Sequence, residues 1–402
     1  MSPGLALARV TRRASRLVTA RASGPASSAR WFSSLGDRDA PPLAYELIEP
    51  PESVSPSEAA SAPLAIVLHG LMGSGRNWRT FTRALSRRVA DEGVPWRFAL
   101  VDNLWHGRTF SDAALREKRH PPRGPFRSAA RPDAPCAVDL AADAVAAVAE
   151  HIREHVTGEL RAREVPPGFP PAAAVLGHSL GGKIALRALA KTAAREKETQ
   201  YSYAPRAQCW TLDTVPSGVA SASDPHGVRR VLDAVASLPK EFASRDALRI
   251  ALEAAAEKKN APTFPRDLVD WLGTNLAPVD ARLGPSSPLT WVFDVEGACA
   301  LYDAYEREDE EALRVCVDPP KAHETHVVRA EKSERWDERV VTALRSASAE
   351  PGARVRLHVL RNAGHWLHVD NPDGLRALIA PELVRLGKEL REYAGSANTK
   401  GA

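Results

Sequence analysis

The sequence predicts an α/β fold with a mostly parallel sheet and helices on both of its faces. Short apolar runs alternate with longer helical patterns between residues 64 and 212. Apolar runs are typical of parallel strands, whose two faces are both buried, and their alternation with helices is typical of crossover connections. A Gly-x-Ser-x-Gly stretch at residues 177–181 also separates an apolar run from a helical pattern. The 402 residues, 44% of them hydrophobic, allow one large or two modest domains with an ordinary core.

The predicted strands and helices follow one another in a regular order. A first strand at residues 43–48 precedes a loop rich in proline and serine. The later strands are predicted at residues 64–68, 97–101, 172–176, 207–212, 326–330 and 355–360. Helices between these strands are predicted at residues 77–89, 138–156 and 180–194. This order is typical of successive strand–helix–strand units in one sheet.

The alternation stops between residues 214 and 311, where mainly helical patterns occur at 228–238, 245–258 and 265–272. An all-helical insertion of this length is expected to form a cap over the carboxyl ends of the strands, where ligands bind in open α/β sheets. The core is therefore expected at residues 43–213 and 312–393, the cap at 214–311, and a disordered tail at 394–402. Residues 116–135, rich in proline and arginine, are expected to form a long loop of unassigned role.

The net charge of +4 arises from the first 36 residues. This segment has no Asp, Glu or Lys, is rich in serine, and contains six arginines, namely Arg9, Arg12, Arg13, Arg16, Arg21 and Arg30. As a helix it would place apolar residues on one side and most arginines on another. Such a segment is typical of an organelle transit peptide, with the mitochondrial matrix as the expected destination and the plastid as the alternative. A disordered tail biased towards alanine and arginine is the other interpretation.

Composition and charge exclude several kinds of partner. Without the first 36 residues the charge is about −2, which gives no reason to expect nucleic acid. No apolar stretch reaches the ~18–20 residues that span a bilayer, so a soluble mature chain without a membrane anchor is expected. The four cysteines have no paired spacing and are expected to be free thiols, namely Cys136, Cys209, Cys299 and Cys316. No feature identifies a protein partner.

Ser179 is the candidate nucleophile. A sharp turn between a strand and a helix strains such a serine and lifts its hydroxyl above the sheet edge, and Gly177 and Gly181 let the neighbouring chain pass closely. A serine hydroxyl also needs a base, and a third group to orient that base. His365 follows the strand predicted at residues 355–360 and is the candidate base. His368 is the neighbouring alternative, and an ordinary role in a surface loop is the other interpretation of His365.

Asp213 is the candidate acid that orients the base. It ends the strand predicted at residues 207–212, which directly follows the strand that carries Ser179. A carboxylate at that position can reach an imidazole above the sheet edge. Glu331 and Glu334, after the next strand, are the alternatives. Asp213 could instead cap a turn before Pro216.

Backbone amides are the candidates for stabilising an oxyanion. One is expected from Leu180, the residue after the nucleophile, and one from the loop after the strand at residues 64–68. In that loop, residues 69–73 present the amide of Leu71, with Met72 as a further candidate. No motif suggests a metal or a cofactor, and neither is expected.

With their spacing, these motifs resemble the α/β-hydrolase superfamily, and within it the abhydrolase-domain-eleven family and related small bacterial acyl-ester hydrolases. The resemblance covers roughly residues 64–386. It is specific, because Lys183 and the Asp-x-x-Pro stretch are not general hydrolase features. The segments that carry it are residues 68–74, Val101-Asp102 with His106-Gly107, residues 177–183, Leu212-Asp213 with Val215-Pro216, Thr274-Asn275-Leu276 and residues 362–368.

The resemblance implies the α/β-hydrolase fold, with a helical cap inserted after the sixth strand. It also implies a catalytic triad of Ser179, Asp213 and His365, because the bacterial relatives have their acid at the position of Asp213. Leu104 and Trp105 stand where relatives usually have Arg and Asn. The lining of the pocket, or a structural ion pair, is therefore expected to differ from theirs.

The expected function is hydrolysis of small carboxylic esters or acyl thioesters through an acyl-enzyme. One alternative is a non-catalytic member of the fold that acts as a binding or chaperone-like protein. Another is a related reaction, such as carbon–carbon cleavage or cofactor-free peroxidation. Dehalogenase and epoxide-hydrolase chemistry is excluded, because it needs a carboxylate at position 179. An apolar, covered cleft favours short- to medium-chain acyl groups, and no motif identifies the substrate further.

Overall fold

The computed structural model describes residues 42–111, 136–155, 172–199, 207–218, 227–307 and 310–400. Two sequence predictions lie outside these ranges, namely the transit peptide at residues 1–36 and the loop at residues 116–135. None of the helices that the structure describes combines the length and the apolar composition needed to cross a membrane.

A seven-stranded sheet forms the centre of the described chain. The strands are β1 (Tyr45–Ile48), β2 (Leu64–Leu68), β3 (Arg97–Val101), β4 (Ala174–His178), β5 (Ala207–Leu212), β6 (Glu241–Phe242), β7 (Leu276–Pro278), β8 (Leu289–Trp291), β9 (His323–Ala330) and β10 (Val355–Leu360). The sheet has the order β1-β3-β2-β4-β5-β9-β10, and all of its pairings are parallel except that of β1 with β3. The predicted mostly parallel sheet is therefore confirmed.

Helices cover both faces of this sheet. They are α1 (Pro56–Ser61), α2 (Arg79–Asp91), α3 (Gly107–Ser111), α4 (Ala137–His155), α5 (Leu180–Thr199), α6 (Val228–Ser237), α7 (Arg245–Lys258), α8 (Arg266–Thr274), α9 (Val295–Arg307), α10 (Glu311–Val317), α11 (Glu338–Ala349), α12 (Leu367–Asp370) and α13 (Pro372–Lys400). Ile66 of β2 packs in one apolar cluster with Ile184 of α5, whereas the adjacent Val67 packs in a second cluster with Leu383 of α13. Successive side chains of a strand point to opposite faces of the sheet. Since both faces of β2 are buried, every residue of the strand is apolar and the run is uninterrupted.

The sequence predicted an all-helical insertion, and this prediction is wrong, because the insertion between β5 and β9 also contains strands. It contains α6 to α10, a 3-10 turn at Ala281–Ser286, and a small antiparallel sheet of order β6-β8-β7. These three strands have only two or three residues each. A strand of that length is too short to produce an alternating pattern of apolar and polar residues, which is why the sequence pattern did not indicate it.

Two further sequence predictions are corrected. The insertion follows the fifth strand of the described chain rather than a sixth, because only the single edge strand β1 precedes β2 in the described residues. Residues 394–400, predicted as a disordered tail, continue α13 to Lys400. Extending an existing helix adds a hydrogen bond per residue without a new nucleation step, so small and polar residues can prolong it.

The insertion is joined to the core around Trp105, which is buried and has a φ of 63°. Its carbonyl oxygen accepts a hydrogen bond of 2.8 Å from the amide of Asp294. A Cβ atom on Gly297 of α9 would lie 2.4 Å from the indole ring of Trp105, so a residue without a side chain is needed there. His106 forms a β-bridge with Phe293 beside this contact. Trp105 and its neighbour His106 thus supply contacts that join the core to the insertion.

Candidate active site

Ser179 lies at the turn between β4 and α5 and has a φ of 53°. This left-handed conformation is strained for a residue other than glycine. A Cβ atom on Gly177 would lie 2.3 Å from the carbonyl oxygen of Gly181, and one on Gly181 would lie 2.6 Å from that of Leu68. Both glycines are therefore required by close backbone contact, and the turn is held against the end of β2.

The loop after β2 passes directly beside this serine. A Cβ atom on Gly70 would lie 3.4 Å from the Cβ of Ser179. Among the described residues, none accepts a hydrogen bond from the amide of Leu71 or from that of Leu180. These two predicted oxyanion donors therefore have unused N–H groups on the two chain segments that meet at the serine.

Met72, the further candidate donor, is already engaged. Its amide donates a hydrogen bond of 3.0 Å to Nε2 of His106, and its φ is 56°. His106 in turn has Nδ1 2.9 Å from the carbonyl oxygen of Leu104, which places its proton on Nδ1. The side chain of His106 is thus a structural support of the loop that carries Leu71.

A second buried histidine supports the same loop. Nδ1 of His69 lies 2.7 Å from the carbonyl oxygen of Gly70, and its Nε2 accepts a hydrogen bond of 3.0 Å from the amide of Asn103. Burial lowers the pKa of His69 to about 4 and that of His106 to about 3. Both rings therefore stay neutral near pH 7, where one nitrogen can accept and the other can donate.

The carboxylate of Asp213 is fully buried at the end of β5 and accepts four hydrogen bonds. One oxygen receives the amide of Ala330 at 3.2 Å and the indole N–H of Trp336 at 2.8 Å. The other receives the hydroxyl of Ser333 at 2.9 Å and Nδ1 of His365 at 2.8 Å. Burial acts to raise the pKa of Asp213, but the hydrogen bond and charge of His365, together with Trp336 and Ala330, lower that pKa to about 2. The group is therefore a carboxylate at neutral pH.

His365 lies on the loop after β10, as predicted, and 16% of its side chain is exposed. Since Nδ1 contacts Asp213, the opposite nitrogen Nε2 is the one directed away from the acid. The alternative base, His368, is buried and stacks on Trp78 with ring centroids 4.0 Å apart. His368 is therefore part of the apolar packing rather than of this pair.

The two alternative acids do not contact His365. Glu331 is exposed, forms an ion pair of 2.8 Å with Arg361, and accepts a hydrogen bond of 2.8 Å from the amide of Asn362. These contacts hold the loop after β10 from its outer side. Glu334 is exposed, and no hydrogen bond or ion pair joins it to another described residue. The geometry therefore brings Asp213 and His365 together and leaves both glutamates apart.

The supporting roles of four residues of this site were not identified in the sequence. Ser333 and Trp336 lie on the irregular segment after β9, and His69 and His106 support the loop after β2. Trp336 lies in a segment without a periodic sequence pattern, so nothing in the sequence indicated its contact with Asp213. The His-Gly pairs at 69–70 and 106–107 were visible as motifs, but nothing in the spacing indicated that the two rings lie 5.3 Å apart.

Lys183, which contributed to the sequence resemblance, is fully buried in the first turns of α5. Its Nζ donates a hydrogen bond of 2.6 Å to the carbonyl oxygen of Ser217 and lies 4.8 Å from the ring centroid of Tyr305 in α9. These contacts join α5, the helix that begins directly after Ser179, to the insertion.

The insertion also reaches the loop that carries His365. The ring of Trp271, in α8, lies 5.3 Å from the ring of Trp366, which directly follows His365. Both indoles are partly exposed. An apolar surface therefore lies next to the candidate base.

One cluster in the described part of the chain has the donor set for a metal ion, namely Glu324, His326 and Glu382. Arg385 already forms ion pairs with both carboxylates, at 2.9 Å to Glu382 and in direct contact with Glu324. The guanidinium thus supplies the positive charge, and the cluster is an ion-pair network at the amino end of β9.

Comparisons with known proteins agree with this fold. The profile of the alpha/beta hydrolase family matches residues 65–378. No curated protein sequence matches the chain. Among solved structures, the peroxisomal alpha-beta-hydrolase Lpx1 of Saccharomyces cerevisiae is similar, with a TM-score of 0.51 and 15% identity over 91% of this chain and 86% of that one.

Two esterases of known structure are similar at a lower level. A marine microorganism esterase has a TM-score of 0.49 and 17% identity, over 84% of this chain and 98% of its own. An esterase of M. tuberculosis has a TM-score of 0.46 and 18% identity, over 95% of this chain and 99% of its own. At such identities, structural likeness bears on the fold and leaves activity to be argued from the site itself.

Proposed function

The chain belongs to the α/β-hydrolase family, and we propose that it is a serine hydrolase that cleaves small carboxylic esters or acyl thioesters. The observation that carries this proposal is the hydrogen bond of 2.8 Å between His365 and the buried carboxylate of Asp213. A carboxylate–imidazole pair of this kind, at the same sheet edge as a serine strained at a strand–helix turn, is the arrangement that nucleophilic catalysis needs.

In the proposed mechanism, Ser179 attacks the acyl carbon while Nε2 of His365 takes the proton of its hydroxyl. Asp213 keeps the proton of the neutral imidazole on Nδ1 and stabilises the imidazolium that forms. The amides of Leu71 and Leu180 donate to the oxyanion of the tetrahedral intermediate. His365 then gives the proton to the leaving alcohol or thiol, and a water molecule hydrolyses the acyl-enzyme by the same steps.

The proposed substrate class rests on the surface next to His365. Trp271 and Trp366 offer apolar area to an acyl chain. Val231, Leu232 and Val235 of α6 are buried in the apolar cluster and contribute to packing rather than to this surface. Such a surface can accept an acyl chain, and we propose esters or thioesters of short to medium acyl length as the substrates.

The experiment combines a covalent probe with an acyl series. A fluorophosphonate should label the wild-type chain, and p-nitrophenyl esters should be hydrolysed with or without EDTA. Ser179→Ala should lose both properties, while Ser86→Ala, a buried serine in α2, should retain them. Equal activity of Ser179→Ala and wild type in folded protein would rule out the mechanism. Labelling without turnover of any ester or thioester would favour a related reaction. Absence of both labelling and turnover would favour a non-catalytic role.

We further propose that the protein belongs near the abhydrolase-domain-eleven-like hydrolases and acts in the mitochondrial matrix. The support comes from the motifs around Ser179, Asp213 and His365 and from the acid-free, arginine-rich residues 1–36. A fluorescent fusion of residues 1–36 should enter mitochondria, and replacing its six arginines by glutamine should abolish import. Plastid or cytosolic fluorescence of the unaltered fusion would contradict the proposed mitochondrial location.

A further inference from the structure

His178 lies at the centre of the site, although the proposed chemistry assigns it no role. It is the last residue of β4, directly before Ser179, and only 1% of it is exposed. Its ring lies 4.7 Å from that of His365 and 5.7 Å from those of Trp78 and Trp366, measured between centroids. The imidazole is thus enclosed between the strand that carries the serine and the loop that carries the base.

The polar atoms of this ring are directed at two parts of the site. Nε2 lies 2.7 Å from the carbonyl oxygen of His365. A carbonyl oxygen can only accept, so Nε2 carries the proton and donates it to the main chain of the base. Nδ1 is then unprotonated, and a Cβ atom on Gly70 would lie 3.0 Å from it. Nδ1 has no hydrogen-bond partner among the described residues.

The other hydrogen bonds of the base loop come from different directions. The amide of Asn362 donates to Glu331, and the amide of Gly364 donates to Asp370, at 2.8 Å in each case. These contacts attach the loop to the segments after β9 and in α12. The bond from His178 attaches the peptide of His365 itself to the turn that carries Ser179.

We propose that His178 is a positioning residue, whose hydrogen bond to the carbonyl of His365 sets the distance between the base and the nucleophile. This inference rests on the proposed function of Ser179 and His365. Without the bond, the side-chain contact with Asp213 still orients the imidazole, but the loop can shift relative to the serine. A displacement of about 1 Å between reacting groups can cost on the order of 100-fold in rate.

A pair of substitutions separates positioning from packing. His178→Gln keeps an amide N–H near the place of Nε2, whereas His178→Met fills similar volume without a donor. We expect His178→Met to lower kcat by about 10- to 100-fold with KM changed less than about threefold, because the loss acts on geometry. His178→Gln should retain kcat within about fivefold of wild type. His368→Met, a buried histidine of the same ring cluster, should lower thermal stability without lowering the kcat of the folded enzyme.

A measurement on the wild-type protein tests the inference without depending on whether a variant folds. In the enzyme labelled with ¹⁵N-histidine, the resonance of His178 should have the pattern of a neutral ring protonated on Nε2. A ring protonated on Nδ1 would overturn the inference, and so would wild-type kcat in His178→Met or equal losses in both variants. Those results would leave the proposed function intact if Ser179→Ala and His365→Ala remain inactive. Activity in these last two would instead overturn the function on which the inference rests.

Discussion

At the scale of single residues, Asp213 shows how a buried charge is stabilised. Four donors surround a carboxylate that has no contact with solvent. A buried charge needs such partners, since an unpaired one costs several kcal/mol. Because three of the donors are residues other than His365, the carboxylate keeps most of its hydrogen bonds when His365 moves or changes its protonation.

Asp213→Asn should reduce kcat by about 10³- to 10⁴-fold with little loss of helical content. The amide can donate as well as accept, so it no longer selects the tautomer of His365 that leaves Nε2 unprotonated. Ester hydrolysis and circular dichroism check this result. Glu331→Gln and Glu334→Gln are the matched controls and should retain nearly full activity. The opposite pattern would move the acid to the segment after β9.

Trp336→Phe should remove one donor from the carboxylate while keeping an aromatic ring. We expect the pKa of Asp213 to rise from about 2 towards its ordinary value, since a hydrogen bond that lowers it is lost. The free energy of unfolding should fall by about 1–3 kcal/mol above about pH 5, where the carboxylate is ionised in both states. Urea unfolding measures the change. Trp291→Phe is the control for lost ring area, because Trp291 of β8 is buried and its indole N–H makes no hydrogen bond with another described residue.

The sequence could indicate the candidate residues because each one ends or follows a strand. Parallel strands finish at one edge of the sheet, so the ends of β4, β5 and β10 had to lie near one another. The bond between Asp213 and His365 agrees with that expectation. The contributions of Ser333 and Trp336 could not be predicted, because they depend on the path of an irregular segment and not on a periodic pattern.

At the scale of elements, burial explains which strands the sequence could predict. The bounds predicted for β2, β3, β5 and β10 agree with the structure. Each of these strands is an apolar run or lies where a helical pattern gives way to a strand pattern. β9 begins at His323 rather than at 326. Its first residues are polar but buried, and Glu324 is paired there with Arg385. Because Glu324 is buried through its ion pair with a distant arginine, the start of β9 has no apolar run that would indicate a strand.

Gly297→Ala should disturb the junction between α9 and the core. Its Cβ would lie 2.4 Å from the ring of Trp105, so ring or helix must move, and overpacking of this kind costs about 1–3 kcal/mol. Gly273→Ala in α8 is the matched control, because its nearest neighbour would be a flexible arginine side chain at 3.5 Å. That change should be neutral or stabilising by up to about 1 kcal/mol. Thermal unfolding of both variants compares them, and equal melting temperatures would contradict the prediction.

At the scale of the whole molecule, buried and half-buried neutral histidines make stability depend on pH. Burial lowers the pKa to about 4 or about 3 for five of them, namely His69, His106, His178, His323 and His358. These pKa values lie below the ordinary value near 6.5, so between pH 6.5 and 4 the unfolded chain binds more protons than the folded chain. The free energy of unfolding therefore falls as the pH is lowered through this window.

Each such histidine should contribute a loss of about 1 kcal/mol between pH 6.5 and 5.5, and the set several kcal/mol. Urea unfolding followed by tryptophan fluorescence at pH 7.5, 6.5, 5.5 and 5.0 measures this slope. His358→Gln, at a half-buried position on β10, should reduce the slope by about one proton. A midpoint that does not change between pH 6.5 and 5.0 would contradict the prediction.

The hydrogen bond between Asp213 and His365 joins residues 152 positions apart, with the whole insertion between them. Closing so long a loop is slow relative to forming local helices, because the entropy of closure is lost before the contact forms. A refolding chain should therefore regain its helical signal before it regains turnover. During synthesis, the chain has no complete acid–base pair until β10 and the loop beyond it have left the ribosome. We therefore expect the proposed hydrolase to lack activity for most of its own translation and to gain it only when almost all of its core can close around the site.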